Sequence, residues 1–293
     1  MQFRSNPRAA RALLSSALFI FAFTNCASPQ TKPTAPSSAQ TATQPAQSQA
    51  TQPTPARPQT PSETVRAFYT ALRERRVRDA FALSIYKSAI DSLTSEEFEE
   101  LRPEFEKLGD AVPPQLGIYG EQISGERATV FAVISTEPNA KQEAIEVSRI
   151  DNAWVVGSRE DYDTVRREGK AFFFKARIDV HQDEMRKVLV KLANAEAIYA
   201  AQHAGRYADL APLTQSESSM RLGLREDLDT LTTLGYHLAL AVGGDGKSYK
   251  ANAEPTRYGR TGRISFYMDA AGIQEKDNNG KPFNPPPAKK KKS

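Results

Sequence analysis

Ile178, His181, Met185, Val188, Leu192, Ala195 and Tyr199 recur at alternating spacings of three and four residues. On a helix of 3.6 residues per turn that alternation draws one continuous apolar seam, so the stretch predicts a long helix over roughly 179–204 that must lay the seam on another layer. Gly205 is placed to end it. Beyond it come Arg206, Tyr207, Ala208, Asp209 and Leu210, a loop of about 25 residues, and strand candidates at 236–242, 249–253 and 264–269. Gly243, Gly244, Asp245 and Gly246 between the first two strands predict a hairpin turn. This half reads as a long helix packed on a small antiparallel sheet.

The preceding hundred residues or so carry a different pattern. Thr60, Pro61 and Glu63 form a helix start, with Thr60 as cap, Pro61 in the first turn and Glu63 reaching back. Val65, Phe68, Tyr69 and Leu72 then share one face. A short helix with Ala80, Phe81 and Ile85 follows, and a third over 95–108 turns Phe98, Leu101, Phe105 and Leu108 inward, with Pro103 as a kink point. After Pro113 and Pro114 the period becomes alternating. Strands are expected at 116–124, 128–136, 142–150 and 153–158, joined by turns at Gly125, Pro138 and Asp151–Asn152. Helices followed by a meander make an α+β fold. The fold class expected for the whole chain is therefore α+β in two domains, 61–160 and 162–280.

The N-terminus carries its own signal. Arg4, Arg8 and Arg11 precede an apolar run of about a dozen residues ending at Phe23, a charged and then hydrophobic leader of the secretory kind. The run is shorter than the ~20 residues needed to span a bilayer. Phe23, Thr24, Asn25 and Cys26 resemble the lipobox of bacterial lipoproteins, in which the cysteine is acylated and becomes the new N-terminus. The lipobox usually has Leu where Phe23 stands and Gly or Ala where Asn25 stands. Cys26 is the chain's one cysteine, so no internal disulfide competes for it. The resemblance implies a lipid on Cys26 and a mature protein held at a membrane of the cell envelope. Ordinary cleavage near Ala27 and a retained signal anchor are the alternatives. Residues 27–60 hold Ser, Thr, Gln, Ala and Pro with only Lys32 and Arg57 charged and no aromatic or branched aliphatic side chain. Such a segment buries too little apolar surface to offset its ordering entropy, and it is expected to be a disordered tether. A second disordered segment is expected at 281–293, a Pro and Lys tail.

Two further resemblances concern the folded part. The order from Ser62, Glu63, Thr64, Val65, Arg66, Ala67, Phe68 and Tyr69 to a strand with Trp154, Val155 and Val156 is similar to small exported domains of the nuclear transport factor 2-like class, over about 100 residues. That likeness implies helices laid across a curved sheet. The long helix with Glu196, Ala197, Ile198 and Tyr199 near its end, then Gly205 to Leu210, Tyr249 to Pro255 and Gly262 to Ile273, resembles the globular part of a type IV pilin or pseudopilin, over about 95 residues. Pilins begin with a long apolar helix that crosses the membrane before assembly. Here only Ala171, Phe172, Phe173 and Phe174 precede the seam, bracketed by Lys170, Lys175 and Arg177. The resemblance thus implies a module that does not enter a filament in the usual way.

Charge and site chemistry narrow the function classes. The net charge is +4, but Lys289, Lys290, Lys291 and Lys292 supply that much alone, and the three leader arginines add more. What remains is slightly acidic, which argues against a nucleic-acid surface. His181, His203 and His237 lie in no metal-ligand spacing, and His181 on the seam reads as a hydrogen-bonded core histidine. Residues 62–160 contain no histidine, so the commonest general base is missing there. Tyr69, Tyr86, Tyr119 and Trp154 either line a cavity or pack in the core. Glu96, Glu97, Glu99 and Glu100 read as a solvated helix face. Gly243 to Gly246 lacks the Gly-Lys-Ser/Thr ending before a helix that phosphate binding needs. No catalytic residue, metal ligand or cofactor is assigned, and Cys26 is the one site named, for lipid attachment.

These features together predict a non-enzymatic, membrane-anchored envelope lipoprotein that presents binding domains to an envelope protein or small ligand. An enzyme with a carboxylate or tyrosine site in the first domain, and an accessory part of a pilus or type II secretion machine, are the rival expectations.

Overall fold

The computed structural model describes residues 59–135 and 140–285. Cys26, the leader, the linker through Arg57 and the terminal lysines lie outside the described residues. The architecture is α+β, with two four-stranded antiparallel sheets. The chain divides into two compact units, and Tyr86–Glu104 groups with the chain from Glu160 rather than with its sequence neighbours.

In the first unit, α1 (Pro61–Arg73) begins as its sequence dictates. The Thr60 side chain accepts from the Glu63 backbone N–H while the Glu63 carboxylate accepts from the Thr60 N–H, and Pro61 occupies the first turn. Val65, Phe68, Tyr69 and Leu72 are buried, and α1 lies across all four strands of its sheet. Helix α2 (Val77–Ala82) follows. Strands β1 (Gly117–Ser124), β2 (Arg127–Val133), β3 (Glu143–Ile150) and β4 (Ala153–Val156) form a meander in sequence order. Strand β1 is a sheet edge, with a register break between Ile118 and Gly120 that leaves Tyr119 unpaired as a bulge. At the other end, Leu83 and Ile85 bond to the Val156 backbone. Gly157 follows at φ +121, where a Cβ would fall 2.6 Å from Ile85 Cγ1, so neither the backbone nor the space admits a side chain.

The second unit opens with α3 (Lys87–Asp91) and the first ten residues of α4 (Ser95–Asp110). The helix α4 runs through Pro103 without interruption. After α5 (Arg159–Glu168) comes α6 (Ala171–Gln202), which begins eight residues before the start predicted from the seam. Its first turns bury Phe173, Phe174, Ala176, Arg177 and Ile178 on several sides, and a helix buried all round shows no amphipathic period. From Ile178 the expected seam is buried, except that Tyr199 is half-buried.

Where a loop was expected, four short helices appear: α7 (Leu210–Thr214), α8 (Glu217–Leu222), α9 (Leu224–Asp229) and α10 (Leu231–Leu234). Ser216 caps α8, and Gly223 and Gly235 close α8 and α10 in the left-handed region. Strands β5 (Tyr236–Val242), β6 (Tyr249–Pro255), β7 (Ile264–Asp269) and β8 (Gly272–Asp277) form the second sheet in sequence order. Strand β8 is the fourth strand, absent from the three-strand expectation. Its Gln274, Glu275, Lys276 and Asp277 are exposed, as suits a charged edge strand rather than an alternating one. Met185, Leu189, Leu192 and Ala195 of α6 meet Ala251, Ala253, Phe266 and Met268 of the sheet in one core, which Leu213 and Leu224 close.

Candidate functional site

The carboxylates read as a solvated face divide once folded. On α4, Glu97, Glu100 and Glu104 share a face at spacings of three and four. Glu97 first serves the helix itself, exchanging hydrogen bonds with Thr94 in a capping box, at 3.1 and 3.2 Å. Its other oxygen meets Lys170 at 3.0 Å and Arg260 at 3.2 Å. The Thr94 N–H and then Lys170 hold the Glu97 carboxyl down to about 2, against the opposing effect of desolvation. Glu100 takes Arg177 on one oxygen at 2.8 Å and Arg257 on the other at 3.0 Å. Arg177 Nε also reaches Glu104 at 2.6 Å, without the alignment of a hydrogen bond. The Arg177 side chain is 5% exposed, and the Arg177 and Arg260 guanidiniums lie 5.7 and 4.0 Å from the centre of the Phe174 ring. Glu96 and Glu99 remain exposed, Glu99 paired with Arg102. Three acids set against Lys170, Arg177, Arg257 and Arg260 thus form one array of ion pairs, within which the Glu97 carboxyl is held ionised.

One acid has the opposite character. Glu196 is fully buried on α6; its Oε2 accepts from the Ala208 N–H at 3.1 Å, and its Oε1 has no partner. Burial pushes its pKa up to about 7, the Ala208 N–H acts against that rise, and the nearby Asp209 charge adds to it. Tyr249, on β6, is pushed up to about 12 by its own burial and then by Glu196. The Tyr207 ring lies 4.7 Å from that of Tyr249, and the Tyr207 N–H donates to the Gly246 carbonyl at 2.8 Å. Sequence reasoning quoted Glu196 without singling it out. No local signal marked it: a Glu one position after Ala195 borders the seam much as the partly exposed Lys191 borders Leu192.

The other candidates lie apart from these acids, most of them with partners in the fold. The His181 Nδ1 donates to the Thr261 carbonyl at 3.2 Å, as expected of a satisfied core histidine. His203 stacks on Tyr199 at 3.8 Å and donates to its carbonyl, closing the end of α6. His237 meets Glu254 across β5 and β6 at 2.9 Å. Tyr69 is buried beside Phe68, which raises its phenol, and Tyr86 packs on Phe172 and Phe173. Trp154 lies under Arg149 at 5.9 Å. Tyr119 is 68% exposed on the β1 edge, where neither the cavity nor the core reading placed it. Gly243 to Gly246 form the hairpin turn, closed by the Gly246 N–H on the Gly243 carbonyl. Among the described residues no three His, Cys, Asp or Glu side chains gather as a metal site, and no helix is long and apolar enough to cross a membrane. Comparison of the chain with protein-family models, curated proteins and solved structures returned no match.

Proposed function

We propose that this chain is a non-enzymatic envelope lipoprotein, acylated on Cys26, whose polar linker presents two folded units that bind an envelope protein or small ligand. The observation that carries this is the order of Cys26 directly behind a basic and apolar leader, then a linker without aromatic or branched aliphatic residues, then a folded start at Thr60 and Pro61. Binding is supported by the exposure of Tyr119 at 68% and Ile123 at 52% on β1, large apolar side chains on an edge strand. A helix across a four-stranded meander supports the transport-factor-like reading of the first unit. A 32-residue helix on an antiparallel sheet supports the pilin-like reading of the second. In that second unit the phenylalanines ahead of the seam are used internally, Phe172 and Phe173 against Tyr86 and Phe174 under two arginines. That use favours a docking module over a filament subunit.

Fractionation of cells making the Cys26→Ser protein tests this. The variant is expected in the soluble fraction, whereas the unaltered protein is expected with the membranes. Unchanged membrane association of the variant would overturn the proposal.

A further inference from the structure

The buried acid on α6 has a geometry that structural duty alone does not require. Glu196 makes one hydrogen bond, to the first part of the chain that returns to the helix after Gly205, and leaves Oε1 without a partner in the interior. The same stretch is tied to the β5–β6 turn by Tyr207 on Gly246. The returning loop is therefore held on one side by the Glu196 carboxyl and on the other by the hairpin tip. The groups around it offer no compensating charge. From the loop come Asp209 and Tyr207, and from β6 comes Tyr249, itself influenced by Asp269. Arg206 runs along Gly246 and the His203 ring is engaged with Tyr199, and among the described residues no cation pairs with Glu196.

We infer that Glu196 is a proton-operated latch, which holds the 203–209 loop against α6 and the β5–β6 turn when protonated and releases it when ionised. With the proton on Oε1, the carboxyl is neutral and Oε2 still accepts from Ala208; the cost is one unbonded hydroxyl. Once the proton leaves, a full charge sits in the interior against a single N–H, a much larger cost that local opening to water relieves. Burial, reinforced by Asp209, brings the change to about neutral pH. The sign follows from a carboxyl raised above its unfolded value: the closed loop is favoured at low pH and loses favour as pH rises through about 7.

Amide hydrogen exchange on the full chain, corrected for intrinsic rates and followed in steps from about pH 5.5 to about pH 8.5, tests this. Protection at Tyr207 and Ala208 is expected to fall by about tenfold or more at the higher pH, while amides of β7 hold theirs. Glu196→Gln, neutral at every pH, is expected to abolish the difference. Asp209→Asn, which leaves the buried acid in place, is expected to move the midpoint to lower pH. Protection that ignores pH, a difference that survives in Glu196→Gln, or an unmoved midpoint in Asp209→Asn would each overturn the latch. Should Glu196→Gln fail to fold, the Asp209→Asn midpoint decides alone.

Discussion

Leu192 and Lys191 are neighbours in the chain with opposite fates. Leu192 is fully buried in the core that α6 makes with its sheet, whereas Lys191 is 39% exposed and reaches Asp227 at 2.6 Å. Leu192→Ala is expected to lower stability by about 2–5 kcal/mol, through lost transfer energy and the cavity left behind. Lys191→Ala removes a partly exposed ion pair and is expected to cost less than about 1 kcal/mol. Equal shifts of the two denaturant midpoints would mean that the seam does not face the sheet. This contrast was legible from spacing alone. Glu196 and Arg177 were not, because nothing in a spacing says that a charged residue beside a seam will be taken inside with it. What decides is the partner: Ala208 for one, Glu100 and Glu104 for the other, each a residue distant in sequence.

Among the elements, α4 and the start of α6 are joined by charge, through Arg177 with Glu100 and Glu104. Arg177 is buried between the half-buried Glu100 and Glu104, and removing it leaves Glu104 without that cation and Glu100 with Arg257 alone. Arg177→Ala is therefore expected to destabilise by about 1–3 kcal/mol, and Arg177→Lys to recover little, since a single ammonium cannot reproduce the guanidinium's contacts. Acid should loosen the same region. The Glu97 carboxyl is held down to about 2 from an ordinary 4.5, so its stabilising effect is complete above the ordinary value and lost as pH falls from there toward 2. Unfolding midpoints followed over that window should fall more for the unaltered protein than for Glu97→Gln; parallel curves would contradict the pairing. Elements with strong periods were readable: the seven strands expected from alternation stand where alternation placed them, within a few residues. Those missed lacked a period. Helix α5 buries only Val165, the short helices α7 to α10 span barely a turn each, and β8 is a charged edge. Caps at Ser216, Gly223 and Gly235 were local signals for α8 and α10.

At the scale of the whole molecule, the α+β class followed from the order of periods along the chain, helical, alternating, helical and alternating again. The grouping of Tyr86–Glu104 with the chain from Glu160 did not, because it rests on contacts such as Tyr86 with Phe172 and Glu100 with Arg177 that span more than seventy residues. The proposed function depends most on a residue outside the described fold. Mass spectrometry of the mature N-terminal peptide, taken from the membrane fraction, tests it most directly. The expected peptide begins at Cys26 and carries the added mass of its acyl chains; a peptide that begins at Ala27, or one that retains the leader with an unmodified Cys26 thiol, would contradict the account.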